Sequence, residues 1–161
     1  MNTRKAGEKD LFKLAEFLRG LDEYNYKVLG LSLMFSMYKL DFNDKQSYES
    51  IMGNYMKDED NLFYLIENEG NPIGFAIVIM EPNKFGNNKL YATLDTIFID
   101  EDFRRRGAGK MILDFIITEL KNMNAVGLTS YIATNNAISV GFHEKNGFKE
   151  VTQWRELYKD L

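Results

Sequence analysis

The sequence predicts an α/β fold, built as a mixed, mostly antiparallel β-sheet flanked by helices. Strand-like segments joined by a tight turn come early in the chain, and a strand-helix-strand order follows later. The chain has 161 residues, 45% apolar and 14% aromatic, which is ample material for one hydrophobic core. Because no repeat and no linker rich in proline, serine or glycine divides it, we expect a single domain over residues 1–161.

Hydrophobic periodicity assigns the elements of the N-terminal half. The expected order is a strand at 3–6, helices at 10–21 and 48–56, and strands at 62–67 and 73–80. The first helix follows from apolar residues at helical spacing, namely Leu11, Leu14, Ala15, Leu18 and Leu21. Between the two later strands, Glu69-Gly70-Asn71-Pro72 is a turn sequence, and it predicts an antiparallel hairpin.

The C-terminal half alternates strands and helices. The expected order is a strand at 90–99, a helix at 110–121, a strand at 128–133, a helix at 137–145 and a last strand at 149–157. The buried candidates of the helix at 110–121 include Met111, Leu113, Ile117 and Leu120. This half therefore favours a strand-helix-strand unit joined to the early hairpin.

Composition excludes several classes of function. The net charge of −4 argues against a general nucleic-acid binder, whose footprint is basic. The absence of cysteine rules out disulfides and a thiol nucleophile, and a single histidine leaves little for a zinc site, so we expect no metal. No apolar run approaches a membrane span, and residues 1–5 are too polar for a signal peptide. We expect a soluble cytoplasmic protein without a membrane partner.

The run Phe103-Arg104-Arg105-Arg106-Gly107-Ala108-Gly109-Lys110 lies between a predicted strand and a predicted helix. Glycine lacks a β-carbon, so the backbone at 107 and 109 can take a positive φ and approach a ligand closely. The first-turn amides of the helix have no partner within it, and the helix dipole and three arginines add positive charge. The run predicts a cradle for a phosphate group.

Two better-known glycine loops do not fit this run. A P-loop needs glycine where Arg104 stands and a metal-binding hydroxyl where Met111 stands. A dinucleotide fingerprint needs a third small residue where Ile112 stands. The remaining pattern, Arg-x-x-Gly-x-Gly after a strand, resembles the signature of the GNAT family of N-acetyltransferases, whose loop wraps the pyrophosphate of acetyl-coenzyme A.

A second motif agrees with the first in order and spacing. Residues 136–148 resemble the family's helix motif Asn-x-x-Ala/Ser-x-x-(apolar)-Tyr/His-Glu-Lys-x-Gly-Phe. The matching positions are Asn136, Ser139, Phe142, His143, Glu144, Lys145, Gly147 and Phe148. Serine and histidine in this helix are most similar to the phosphinothricin-type branch. The likeness covers about residues 60–150 and implies the family's fold, a GNAT-type sheet flanked by helices.

The resemblance implies an N-acetyltransferase that moves an acetyl group from acetyl-coenzyme A to an amine by direct attack in a ternary complex. The implied coenzyme-binding residues are Ile97, Phe98, Ile99, Arg104, Arg105, Arg106, Gly107, Ala108, Gly109, Lys110, Asn136 and Ser139. The loop would hold the pyrophosphate, main-chain groups of the strand Thr96 to Ile99 would pair with the pantetheine arm, and Asn136 and Ser139 would hold the arm from the other side. The amide of Ile97 or Phe98 would steady the oxyanion.

Two side chains are the implied catalytic residues. His143 stands where the family commonly has tyrosine, and imidazole can donate a proton to the leaving thiolate. Asp95 is the candidate base, since alternation places it on the face of Ile97 and Ile99, although Thr93 occupies the position where some members have glutamate. The alternatives are a hydrogen-bonded core histidine, a solvated or substrate-binding aspartate, and loss of the amine proton to water.

The acceptor is less defined than the donor. Aromatic and methionine residues within 22–44 would line an acceptor pocket, or they fill the core. A small-molecule or peptide amine is the expected partner, nucleic acid is not, and a homodimer is frequent in the family. The alternative function is a non-catalytic acyl-coenzyme A sensor or interaction module.

Overall fold

A central sheet organises the computed structural model, which describes residues 1–30 and 41–152. Within those residues the strands run in the spatial order β1 (Asn2–Lys5), β2 (Asn61–Asn68), β3 (Asn71–Pro82), β4 (Leu90–Ile99) and β5 (Gly127–Ser130). The first four strands pair antiparallel with their neighbours, and β5 pairs parallel with β4. The prediction of a mixed, mostly antiparallel sheet is confirmed.

Helices follow the predicted order in the described residues. They are α1 (Leu11–Val28), α2 (Lys45–Tyr55), α3 (Ala108–Asn122) and α4 (Ala137–Lys145), with short 3-10 turns at Glu8–Asp10 and Glu101–Phe103. The chain forms two compact units, Met1–Tyr131 and Ile132–Leu161, and α4 belongs to the second. The expectation of one domain over 1–161 stays a prediction. No helix in the described part of the chain is both long and apolar enough to cross a bilayer.

The first unit packs helices on both faces of its sheet. On one face, Phe17 of α1 stacks on Phe75 of β3 with ring centroids 5.8 Å apart, within a cluster that also contains residues of α2. Tyr64 of β2 points to the opposite face and meets Phe115 of α3 edge-on at 6.0 Å. Because side chains alternate along a strand, β2 and β3 are buried on both faces, which explains their nearly continuous apolar sequences.

Several boundaries and core positions differ from expectation. Met111 is exposed and Ile117 only half-buried, because the buried stripe of α3 is Ile112, Leu113, Ile116 and Leu120. Helix α1 continues to Val28, so the start of the 22–44 segment is helical rather than a loop. Residues 31–40 of that segment lie outside the described residues. In the expected last strand, 149–152 form no strand, and residues from 153 onward lie outside the described part.

Gly74 of β3 lies directly against the end of β4. A β-carbon there would lie 2.5 Å from the carbonyl oxygen of Phe98 and 2.7 Å from Cδ1 of Ile99. The strands would have to separate, so we expect Gly74→Ala to lower the free energy of unfolding by about 2–3 kcal/mol. Urea unfolding measures the change.

The matched control is Gly20→Ala in α1. Its β-carbon would meet only Cζ of Phe98, at an ordinary 3.8 Å. Alanine is the better helix former, so this variant should gain about 0.5–1 kcal/mol. Equal stability of the two variants would contradict the close approach at Gly74.

Candidate active site

The turn between β4 and α3 has the backbone that the glycine-containing run predicts. Arg105 has φ 58° and Gly107 has φ 87°, so both lie in the left-handed region. Gly107 is the N-cap of α3 and has no side chain to accept a hydrogen bond from the first-turn amides. Arg105, Arg106 and Gly107 are exposed. The amides at the start of α3 therefore remain available for an anion from solution.

The three arginines of this turn differ in their contacts. Arg104 is half-buried; its Nε donates to the carbonyl oxygen of Ile99 at 2.7 Å, and its guanidinium lies over the rings of Tyr24 and Phe98. These contacts tie the turn to β4 and to α1. Arg106 lies over the ring of Phe103 and stays exposed. Arg105 and Arg106 are thus the side chains of the turn that face solvent.

These residues fit a pyrophosphate on structural grounds. The left-handed turn, the uncapped first turn of α3 and two exposed guanidinium groups form a donor set without a carboxylate among them. Lys110 is the exception among the predicted binding residues, because its Nζ lies 2.7 Å from Asp114 one helical turn later. Both side chains of that ion pair are exposed, so Lys110 can leave Asp114 for another anion at little cost in free energy.

Strand β4 carries a β-bulge that the sequence did not reveal. Ile77 of β3 pairs with Thr96, but Val78 pairs with Leu94, which leaves Asp95 as the extra residue. A bulge interrupts alternation, so the expectation that Asp95 shares a face with Ile97 and Ile99 does not follow from the strand period. Asp95 is exposed, and its Oδ2 accepts a hydrogen bond from the hydroxyl of Thr96 at 3.0 Å.

The same strand has an open edge beyond the bulge. The pairing of β4 with β5 ends at Leu94 and Ser130, whereas pairing with β3 continues to Ile99. Among the described residues, positions 96–99 therefore pair with a strand on one side only. An open strand edge offers main-chain groups to an extended ligand that carries amides.

Thr93 holds a carboxylate from the neighbouring strand. The buried Thr93 hydroxyl donates to Oε2 of Glu81, and Nζ of Lys84 pairs with the same carboxylate at 2.5 Å. Burial opposes ionisation of Glu81, but the hydrogen bonds from Lys84 and Thr93 outweigh it and keep its pKa below the usual value. Glu81 is thus an ionised, paired group and a poor proton acceptor.

His143 lies in α4, within the second unit. It is 3% exposed, and the rings of Phe142 and Phe148 meet it edge-on at 5.3 and 4.9 Å. Its Nδ1 lies 2.8 Å from the carbonyl oxygen of Ser139, which can only accept a hydrogen bond. The ring therefore carries its proton on Nδ1, and the buried Nε2 has no partner among the described residues.

Burial sets the charge of this histidine. It lowers the pKa of His143, and the hydrogen bond to Ser139 only partly opposes this shift. At neutral pH the ring is uncharged, with a free lone pair on Nε2. In the same helix, the side chain of Asn136 accepts from the amide of Ser139 at 3.1 Å and caps α4. Asn136 thus already has a structural role as the helix N-cap.

From the sequence, Asp22 is one of four acidic residues in the 22–44 segment that would suit a cationic amine, with a solvated face as the alternative. It lies in α1, is half-buried, and accepts a hydrogen bond from the hydroxyl of Tyr48 at 3.1 Å. Tyr48 is 1% exposed, and no cation pairs with Asp22 in the described parts of the chain. Burial raises the pKa of Asp22 to about 6, and the Tyr48 hydrogen bond opposes this only in part. Its position seven residues after Ala15 places it on the buried stripe of α1.

Replacing Asp22 by asparagine should stabilise the fold at neutral pH. The raised pKa means that ionised Asp22 destabilises the native state, and this loss develops as pH rises from about 4 through about 6. Asparagine keeps an acceptor for Tyr48 without the charge. With partial solvent contact, we expect Asp22→Asn to raise the free energy of unfolding at pH 7 by about 1–2 kcal/mol.

Urea unfolding at pH 4 and pH 7 checks this expectation. The advantage of the variant should be much smaller at pH 4, where Asp22 is protonated in the native state and about half-protonated in the unfolded chain. A constant difference at the two pH values would contradict the assigned cause.

Comparison by sequence places the chain among acetyltransferases. A model of the acetyltransferase (GNAT) family matches residues 31–148. The chain is 40% identical over 67 residues to a [ribosomal protein bS18]-alanine N-acetyltransferase of Salmonella typhimurium, a match covering 42% of this chain and 45% of that protein. It is 32% identical over 91 residues to a peptidyl-lysine N-acetyltransferase of the same organism, covering 56% and 52%. The chain spans about half the length of these relatives.

Comparison of structures extends over nearly the whole chain. The structure of AAC(6')-Iy with the bisubstrate analogue CoA-S-monomethyl-acetylneamine has a TM-score of 0.72 and 18% sequence identity, covering 99% of this chain and 98% of that one. At this identity the likeness shows the fold alone. Since the family model covers well over half of the chain, the protein belongs to the GNAT family of acetyltransferases.

Proposed function

We propose that the protein is an acetyl-coenzyme A-dependent N-acetyltransferase, in which the amine attacks directly within a ternary complex. The observation that carries this proposal is the left-handed, uncapped turn at 105–108, joined to an open strand edge at 96–99. Such a pair of features suits a ligand with a pyrophosphate at one end and an amide-bearing arm at the other. When bound, acetyl-coenzyme A supplies the activated acetyl group.

The proposed roles of the coenzyme-binding residues are those that the family resemblance implies. The first-turn amides of α3, with Arg105 and Arg106, would hold the pyrophosphate. Arg104 would act by fixing the turn to β4, since its Nε already bonds Ile99. Main-chain groups of β4 would bind the pantetheine arm and steady the oxyanion through the amide of Ile97 or Phe98. Asn136 and Ser139 of α4 remain proposed contacts of the arm.

Proton movement is assigned to two side chains. Asp95, exposed at the bulge, or a water beside it accepts the proton that the attacking amine loses. His143 would give a proton to the sulfur as the carbon–sulfur bond of the thioester breaks. Because His143 is neutral with a bare Nε2, it would have to take up a proton at that nitrogen before it could give one to the sulfur. The nitrogen loses one proton and the sulfur gains one, so the number of protons is unchanged overall.

The acceptor is proposed to be a small-molecule or peptide amine. The related proteins and structural neighbours are named for an alanine of a ribosomal protein, a peptidyl lysine and an aminoglycoside. We keep the phosphinothricin-type branch as a proposal, which rests on Ser139 and His143. A homodimer, which is frequent in the family, also stays a proposal, as does a cytoplasmic location.

Thiol release tests the activity. The protein is incubated with acetyl-coenzyme A and a panel of primary amines, amino acids and peptides, and free thiol is followed over time. We expect amine-dependent thiol release with at least one acceptor. Tight coenzyme binding without thiol release across the panel would favour a non-catalytic acyl-coenzyme A sensor instead.

A further inference from the structure

Three hydroxyl groups fasten β5 to β4 at the end of their pairing. The last two pairs of the ladder are Thr93 with Thr129 and Leu94 with Ser130. The hydroxyl of Ser130 donates to the carbonyl oxygen of Leu94 at 3.0 Å. The hydroxyl oxygens of Thr93 and Thr129 lie 2.8 Å apart. Strand β5 has four residues and pairs in parallel, which is slightly less stable per residue than antiparallel pairing, so these side-chain bonds reinforce a short ladder.

The direction of these hydrogen bonds links β5 to β3 as well. Thr93 has one hydroxyl proton, and it donates that proton to Oε2 of Glu81 on β3. Thr129 is therefore the donor in the bond between the two threonines. Nζ of Lys84 pairs with the same carboxylate and lies 3.3 and 3.4 Å from the two threonine hydroxyls. Side chains thus join three adjacent strands, and we call Glu81, Thr93, Thr129 and Ser130 the hydroxyl clamp.

Strand β4 bends directly after the hydroxyl clamp. On the side of β5 the pairing ends at Leu94, and on the side of β3 the next residue, Asp95, is the extra residue of the bulge. A bulge bends its strand and increases the local twist. Because the bend begins where the last pair is fastened, the open edge at 96–99 leaves β5 from a fixed point. Without the clamp, the short ladder could end at a different pair, and the opening would move with it.

We propose that Thr129 and Ser130 are positioning residues, which fix the point where β4 and β5 part and so place the edge at 96–99 for the amide-bearing arm of the coenzyme. The inference rests on the proposed function and assigns neither residue a contact with the reacting atoms. The pyrophosphate end of the coenzyme should not depend on the hydroxyl clamp, because the bond from Arg104 to Ile99 holds the turn at 105–108. Loss of the clamp should therefore affect one end of the ligand and not the other.

Deuterium exchange at saturating coenzyme A tests this proposal without requiring turnover. In the wild type we expect coenzyme A to slow amide exchange in both segments, 95–99 and 105–111. The double variant Thr129→Val with Ser130→Ala should keep the slowing at 105–111 and lose it at 95–99, with coenzyme A affinity reduced about fivefold. The control Thr118→Ala removes another hydroxyl bond to a main-chain oxygen, that of Asp114 at 2.9 Å, and should keep both.

The outcomes separate the inference from the proposed function. Slowing at 95–99 in the double variant as in the wild type, or an equal loss in both segments, would overturn the positioning role. Slowing only at 105–111 in the wild type would also overturn it and leave the pyrophosphate site standing. Wild-type protein with no slowing in either segment and no coenzyme A affinity would refute the proposed function, and this inference with it. If the double variant does not fold, Thr129→Val and Ser130→Ala are measured singly, and wild-type slowing at 95–99 in both would overturn the role.

Discussion

Replacing His143 by phenylalanine should lower kcat about 100-fold and leave the affinity for coenzyme A unchanged. The size follows from the usual contribution of a positioned acid or base. Phenylalanine keeps an aromatic ring beside those of Phe142 and Phe148, and it removes a buried nitrogen that has no partner among the described residues. The change also removes the Nδ1 hydrogen bond to Ser139, so we expect the free energy of unfolding to fall by about 1 kcal/mol or less. Steady-state kinetics, calorimetry with coenzyme A and urea unfolding measure the three quantities.

The pH dependence of activity shows which protonation state of His143 is active. If neutral His143 must accept a proton at Nε2, activity is retained above its lowered pKa and lost as pH falls through it. His143→Phe should lack this acidic limb, whereas Asp22→Asn should keep it. Activity that instead falls as pH rises through the same range would mean that the protonated ring is the active form. An unchanged kcat in His143→Phe would remove the residue from the chemistry.

Replacing Gly107 by valine should weaken coenzyme A binding at least tenfold. A β-branched residue at φ 87° is strained, so the turn would shift away from the conformation that exposes the first-turn amides of α3. A β-carbon at this position meets nothing within 4 Å, so strain rather than a clash is the cause. The expected loss of unfolding free energy is about 1–3 kcal/mol.

Gly86 offers a matched control for this substitution. It lies between β3 and β4 with φ 67°, and a β-carbon there likewise meets nothing within 4 Å. Gly86→Val should therefore lose a similar amount of stability and bind coenzyme A as wild type does. If both variants bind equally weakly, the effect is a general consequence of destabilisation, and the turn at 107 has no special part in binding.

The sequence predicted the structure best where a residue type requires a particular backbone conformation. Gly107 takes the positive φ that its place in the run predicts, and α3 begins at the next residue. The hairpin at 69–72 forms because Glu69 and Gly70 accept left-handed conformations in a two-residue turn. Strand β4 and helix α4 have the predicted bounds, since their hydrophobic patterns end sharply at polar neighbours.

Tertiary relations were beyond a single sequence. The bulge at Asp95 depends on how β3 and β4 pair, and no residue type marks it. The contacts of Arg104 with Tyr24 and Phe98 depend on where α1 crosses the sheet. The sequence alone therefore does not show which of the three consecutive arginines anchors the turn. Asp22 had a usable signal, because it follows the apolar stripe of α1 at helical spacing, but a charge there is usually solvated.

Titration of the protein with coenzyme A in a calorimeter tests the central claim most directly. We predict one binding site per chain with a dissociation constant in the micromolar range, roughly 1–100 μM, and weaker binding at higher salt because phosphate contacts are ionic. Wild-type protein that gives no binding heat and no competition with acetyl-coenzyme A at millimolar ligand would contradict the account.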